Sequence, residues 1–290
     1  MSQPAARSSR IRRANCWMPD AAARSPRETG AGKRTRNRAR TLSVADTEWL
    51  HVARWSRGRL RAPQQSAVRR FQRQLLRWYG HHARTFPWRR TRNPYRVLIA
   101  ELFLQKTQAK QVLPTYRAFI RRFRNVQTLA RAPLRQLREA IWSLGLPARA
   151  RQLKGMARAL VDHFAGQVPL SEKELLSLQG VGPYTASAVL CFAFGKRRAV
   201  VDANVIRLLA RYFGLRSTHP RPRTDKKLWR IAEVIVPAER FREYNWAIFD
   251  FAAKICRAKN PLCGRCPLNR DCRWYLRTRL SPGLRPATRP

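Results

Sequence analysis

Leu178-Gln179-Gly180-Val181-Gly182-Pro183-Tyr184-Thr185-Ala186 is the stretch on which the fold turns. Two glycines stand between the apolar end of one helix and a second helix that Pro183 can open, because the first helical position does not need the N–H that proline lacks. The stretch therefore reads as helix, tight loop, helix. Gly180 and Gly182 let backbone amides turn inward toward an anion, and the second helix adds the positive end of its dipole. A DNA phosphate suits such a cradle, with Gly180, Val181, Gly182 and Thr185 as the contacts. Taken alone, the fragment reads equally well as an ordinary αα-corner capped by glycine.

On both sides of the hairpin the apolar residues keep helical spacing. Val68, Phe71, Leu75 and Trp78 recur at steps of three and four, as do Val112, Tyr116, Phe119 and Phe123, and Leu153, Met156, Leu160 and Phe164. Leu134, Leu137 and Ile141 form a further stripe, and Phe241, Tyr244, Ile248, Phe251 and Ile255 a late one, with Gly145, Gly195 and Gly214 placed to end helices. Strand patterns are nearly absent and no repeat is evident, so the expected class is all-α and globular. Residues 1–66 are rich in Arg, Ala, Ser and Pro without a sustained apolar period and are expected to be a disordered basic arm. A short disordered tail is expected over 278–290.

The charge points to a polyanion. Against 61 Lys and Arg stand 16 Asp and Glu, a formal net charge of +45 that would repel itself in a compact fold unless nucleic acid met it. Charge alone leaves open a protein that coats membrane or RNA without chemistry. No apolar run of membrane-spanning length occurs and the N-terminus has no signal-peptide core, so a cytoplasmic, nucleoid-associated location without membrane contact is expected.

Cys256, Cys263, Cys266 and Cys272 are separated by six, two and five residues, with Pro261 and Pro267 bending the chain so that four thiolates can converge. Four soft ligands in one short loop favour iron-sulfur or zinc. Zinc ribbons usually present two C-x-x-C pairs and this loop has one, so the spacing favours a cubane cluster. Cys16 and Cys191 read as a tail thiol and a small buried apolar residue.

Two carboxylates interrupt apolar runs. Glu101 lies between Val97-Leu98-Ile99-Ala100 and Leu102-Phe103-Leu104, and Asp202 follows Ala199-Val200-Val201. Burial would raise the pKa of Glu101 and leave it able to give a proton near neutral pH. The other readings are a buried Glu paired with Arg, and Asp202 as a helix N-cap. Asp250, within Trp246-Ala247-Ile248-Phe249-Asp250-Phe251, reads as a structural ion pair.

The hairpin, an Asp 18 residues beyond its Tyr, and the cysteine loop together resemble the endonuclease III superfamily of helix-hairpin-helix-GPD DNA glycosylases, from about Phe86 to Trp274. The resemblance implies two helical lobes: a six-helix barrel over 86–196, and a cluster lobe built from 67–85 and 197–277. It implies that the hairpin grips DNA backbone, that Asp202 drives bond cleavage and that the four cysteines hold a [4Fe-4S] cluster. Double-stranded DNA with a mismatched or damaged base is the implied partner, and a monomer is expected.

Within the superfamily the bifunctional enzymes carry a Schiff-base Lys where this chain has Tyr184, and Tyr cannot form that imine. A monofunctional enzyme is implied, of the thymine/uracil mismatch branch or the MutY-type adenine branch. Phe86-Pro87-Trp88-Arg89, Pro94-Tyr95 and Glu101 are similar to both. Leu104-Gln105-Lys106-Thr107-Gln108 nearly repeats the adenine branch's motif, but Lys106 replaces the Gln that wedges into the base stack there. Tyr184 and Ala199-Val200-Val201-Asp202-Ala203-Asn204 resemble the thymine branch, and only 18 residues follow Cys272, too few for the adenine branch's C-terminal domain. Thymine or uracil opposite guanine is the expected target, adenine opposite guanine or 8-oxoguanine the alternative, and a silent DNA-binding module the remoter one. In the expected mechanism Asp202 stabilises the sugar cation, Glu101 assists the departing base or positions water, and Tyr184 lines the base pocket. Gln105 and Lys106, with Leu146 and Arg149 from the Leu144 to Arg149 loop, fill the gap left by the flipped nucleotide.

Overall fold

The computed structural model describes residues 63–145, 148–217 and 219–280, and all regular structure among them is helical. The helices are α1 (Gln65–His82), α2 (Pro94–Leu104), α3 (Ala109–Arg122), α4 (Val126–Arg131), α5 (Leu134–Ala140), α6 (Ala148–Phe164), α7 (Glu172–Ser177), α8 (Pro183–Phe192), α9 (Ala203–Phe213), α10 (Lys226–Ile235), α11 (Phe241–Lys254) and α12 (Arg273–Leu280). The basic arm expected over 1–66 lies outside the described residues except for its end, where α1 already begins at Gln65. Of the tail expected over 278–290, the first three residues belong to α12 and the rest is outside the described residues.

Local chemistry sets the helix ends. Asn93 accepts the Arg96 N–H and Pro94 opens α2, while Asn125 and Thr128 close a capping box on α4. Gly145, Gly195 and Gly214 adopt positive φ of 67°, 71° and 74°, a left-handed conformation that ends helices and that glycine enters without a Cβ clash.

The apolar stripes are buried as their spacing requires, in two clusters. The first runs from Phe86 to Val200 and is built from α2 to α8. Among the described residues seven α-helices fall in this stretch, of which α4, α5 and α7 are pieces of six or seven residues. The second cluster joins Val68, Phe71, Leu75, Trp78 and Tyr79 of α1 to residues from Ala199 to Leu268. Phe71 anchors it, with its ring 4.8 Å from Tyr212, 5.1 Å from Phe213 and 6.3 Å from Tyr244. A single helix of the N-terminal part is thus locked to α9 and α11 of the C-terminal part.

α11 also faces the first cluster. Trp246 stacks on Phe192 at 5.1 Å, and the Arg242 guanidinium donates to the Cys191 carbonyl at 3.0 Å. Asp250, fully buried, accepts from the Arg84 N–H at 2.8 Å, from Arg84 Nε at 2.6 Å and from both Arg89 Nη atoms at 2.8 and 2.9 Å. Burial alone would raise its pKa, but Arg89 and Arg84 outweigh burial and hold the carboxyl below its usual value. The structural ion pair expected of Asp250 is therefore present, and it clamps the Phe86-Pro87-Trp88-Arg89 turn to α11.

Candidate active site

Glu101 lies on α2, a helix buried almost all round from Tyr95 to Phe103, so its carboxyl has nowhere to meet solvent. It is 4% exposed, and Oε2 has no hydrogen-bond partner among the described residues. Burial pushes its pKa up to about 7; the Asp202 charge adds to the rise, while a hydrogen bond from Tyr184 and the charge of Arg89 oppose it. The carboxyl therefore exchanges its proton near neutrality.

Tyr184 enters from the first turn of α8 and lies near Glu101. Burial, together with the charges of Glu101 and Asp202, raises the phenol well above its ordinary pKa, so it remains a donor. Its ring lies 6.3 Å from Phe249 of α11.

Asp202 stands where the two apolar clusters meet, as the N-cap of α9. Oδ1 accepts the Asn204 and Val205 N–H groups, each at 2.8 Å, and Oδ2 accepts Asn204 Nδ2 at 2.6 Å. The N-cap reading of Asp202 is thus correct as geometry, and its charge still acts on Glu101 and Tyr184. One residue does both things. Asn204, quoted in the sequence motif without a role, proves to hold the outer carboxylate oxygen.

The hairpin loop has the predicted shape and a different division of labour. Gly180 has φ of 84°, which an L side chain rarely adopts, and Gly182 caps α8 by accepting the Ala186 N–H at 2.9 Å. A Cβ at Gly182 would meet nothing within 4 Å, so its outer side is open, and the first amides of α8 have no partner within their own helix. Val181 and Thr185 face the other way. Val181 is 7% exposed and its N–H returns to the Leu178 carbonyl, while Thr185 is 1% exposed and its hydroxyl accepts from Gln105. Neither presents its side chain to a phosphate.

Two expected DNA contacts are likewise corrected. Gln105 Nε2 donates to the Gly180 carbonyl at 3.1 Å and to Thr185 Oγ1 at 3.2 Å, which ties the carboxamide to the hairpin rather than leaving it to fill a gap. Arg149 is 4% exposed, and its guanidinium donates to the carbonyls of Phe103 at 3.2 Å and Gln105 at 2.6 Å. It fixes the chain beneath Lys106 instead of reaching outward. Lys106 itself is exposed, at φ of 59°, on the turn after α2. Leu146 lies outside the described residues.

Among known proteins, the model of the HhH-GPD superfamily of base excision DNA repair proteins matches residues 99–233. A thymine/uracil-DNA glycosylase of Pyrobaculum aerophilum is 41% identical over 211 residues, covering 71% of this chain and 92% of that protein. This chain belongs to the HhH-GPD superfamily. It is a DNA glycosylase of base excision repair. An adenine DNA glycosylase of Buchnera aphidicola subsp. Baizongia pistaciae is 39% identical over 212 residues, covering 72% of this chain but 60% of that protein. A solved structure described as a thermostable thymine-DNA glycosylase superimposes with a TM-score of 0.70 at 37% identity, covering 73% of this chain and 98% of the other.

The cysteine loop of this glycosylase fits a cluster. Cys256, Cys263, Cys266 and Cys272 are unpaired by disulfide and line one small pocket, together with Leu208, Tyr212 and Phe251. Burial raises Cys266 to about 12, and the charges of Cys256, Cys272 and Cys263 add to the rise. Among the described residues no group of three or more His, Cys, Asp or Glu side chains is placed to hold a metal ion. Four cysteine thiols on one short loop are nevertheless the donor set that a [4Fe-4S] cluster takes. Arg211 Nη1 donates to Cys256 Sγ at 3.4 Å, and Cys272 Sγ donates to the Arg211 carbonyl at 3.5 Å, tying the loop to α9. Cys191 is buried and raised to about 12 mainly by burial, as the apolar reading requires, and Cys16 lies outside the described residues.

Proposed function

We propose that this chain is a monofunctional glycosylase that hydrolyses the N-glycosidic bond of thymine or uracil mispaired with guanine and flipped from duplex DNA. The observation that carries the proposal is Tyr184, a phenol and not an amine, placed near enough to the buried Glu101 and to Asp202 for their charges to act on one another. A phenol at that position offers no amine for an imine, so water is the nucleophile. Similarity to a thymine/uracil-DNA glycosylase over 71% of this chain and 92% of that protein supports the choice of base.

The chain's own groups divide the work as follows. The flipped nucleotide places its sugar toward Asp202, whose carboxylate stabilises the positive charge that grows as the bond breaks. The bonding electron pair leaves with the pyrimidine, and Glu101 gives its proton to a base oxygen. Water then bonds to C1′ and its proton passes to Asp202. Tyr184 packs beside the base and holds Glu101 in place. The open amide end of α8 binds a phosphate and Lys106 reaches toward the vacated stack. Cys256, Cys263, Cys266 and Cys272 would hold a [4Fe-4S] cluster, which when bound supplies a fixed cross-link through the loop between α11 and α12.

Adenine removal opposite 8-oxoguanine is the second reading, favoured by a Glu101 poised to protonate a purine. Incubation with a G·T duplex tests the monofunctional mechanism. The strand should remain intact until alkali or heat nicks it at an abasic site. High-yield trapping of a covalent protein–DNA adduct by borohydride would overturn the proposal and make Lys106 the first amine to test.

A further inference from the structure

The segment between α8 and α9 that delivers Asp202 has no regular secondary structure, yet Ala199, Val200 and Val201 are each 3% exposed or less. Buried backbone groups need partners, and here side chains supply them. The Ala199 N–H donates to Glu233 Oε2 at 3.0 Å, and the Val200 N–H donates to Asn245 Oδ1 at 3.0 Å. Asn245 Nδ2 donates in turn to the Arg198 carbonyl at 3.0 Å and to the Phe241 carbonyl, one turn back on α11, at 2.8 Å.

Asn245 is 2% exposed. Its carboxamide takes the carbonyl before Ala199 and the N–H after it, the pairing that one residue of a parallel strand makes with its neighbour. A slip of one residue would lose both bonds together. The register of the segment is therefore fixed two residues before Asp202, by a side chain from the helix that also carries Asp250.

We infer that Asn245 is a positioning residue for Asp202, setting where the carboxylate stands relative to the sugar; this rests on the reading of Asp202 as catalytic. A residue that only fills the core would affect stability alike with or without Asp202. A residue that acts through Asp202 loses its effect on the chemical step once that carboxylate is gone.

The test is a double-mutant cycle of N245A and D202N, read as single-turnover cleavage of a G·T duplex alongside equilibrium binding of the same duplex. N245A should slow cleavage by about tenfold to a hundredfold, as misplacement of a reacting group by about 1 Å does. Its affinity for the duplex should stay within about twofold. In the D202N background N245A should cost no further rate. Should N245A fail to fold, N245D carries the same test, because it keeps the acceptor for Val200 and loses the Nδ2 donor to the Arg198 and Phe241 carbonyls. A folded variant with the wild-type rate overturns the inference, as does an equal loss in both backgrounds. If D202N alone keeps the wild-type rate, the reading of Asp202 fails instead, a result distinct from a silent N245A.

Discussion

Glu101→Gln separates what this carboxyl does for the chemistry from what it costs the fold. Glutamine keeps the shape but does not titrate. In the folded chain Glu101 has a pKa of about 7 against an ordinary 4.5, so the folded state holds the proton more tightly than the unfolded one. Stability therefore falls as pH rises through that interval and levels off above it. At about 1.36 kcal/mol per pH unit, the interval corresponds to about 3 kcal/mol for this enclosed group. The variant should be only slightly more stable than the wild type at pH 5, with its advantage growing by about 2 to 3 kcal/mol at pH 8. Over the same range it should lose glycosylase rate by about a hundredfold or more, while the wild-type rate declines above pH 7 as the proton leaves. Urea unfolding at the two pH values, paired with single-turnover cleavage, reads both effects. A variant no better favoured at pH 8 than at pH 5, or one with unchanged rate, would refute the reasoning.

Asp202→Asn should keep duplex binding and lose about a hundredfold or more in single-turnover rate, because the sugar cation loses its counter-charge; a near-normal rate would remove Asp202 from the chemistry. Cys263→Ala or Cys266→Ala should strip iron and the visible absorption band from the purified protein and destabilise the C-terminal loop; a coloured, stable, active variant would show that the residue is not a ligand. Asp250→Ala leaves Arg84 and Arg89 facing a buried void and should lower stability by about 3 to 5 kcal/mol in urea unfolding, whereas a loss below about 1 kcal/mol would mean that solvent reaches the two guanidinium groups.

The sequence made the packing of this molecule more legible than its polar contacts, for a physical reason. Helical spacing reports which face is buried, so Phe71, Phe119, Met156 and Phe251 could be placed in the core from their intervals alone. Glu101 and Asp250 stood out because a charge inside an apolar run must be paired or neutralised, and the structure has one of each kind. Thr185 was misread because α8 is buried on all sides from Thr185 to Phe192, and a helix without an exposed face has no period to betray its interior positions. Gln105 and Arg149 were misread because spacing carries no information about which carbonyl a long polar side chain will reach. The same blindness hid Asn245, two of whose partners lie 45 and 47 residues away along the chain. Asp202 was offered as either a cap or a catalyst, and the geometry gives it the cap while leaving its charge beside Glu101.

Base preference is the most direct test of the proposed function. Single-turnover rates should be measured with one enzyme preparation on duplexes carrying G·T, G·U and adenine opposite 8-oxoguanine. Release of thymine or uracil opposite guanine should be the faster reaction, with strands that stay intact until alkali is added. Faster release of adenine opposite 8-oxoguanine would contradict the assignment and replace it with the adenine reading.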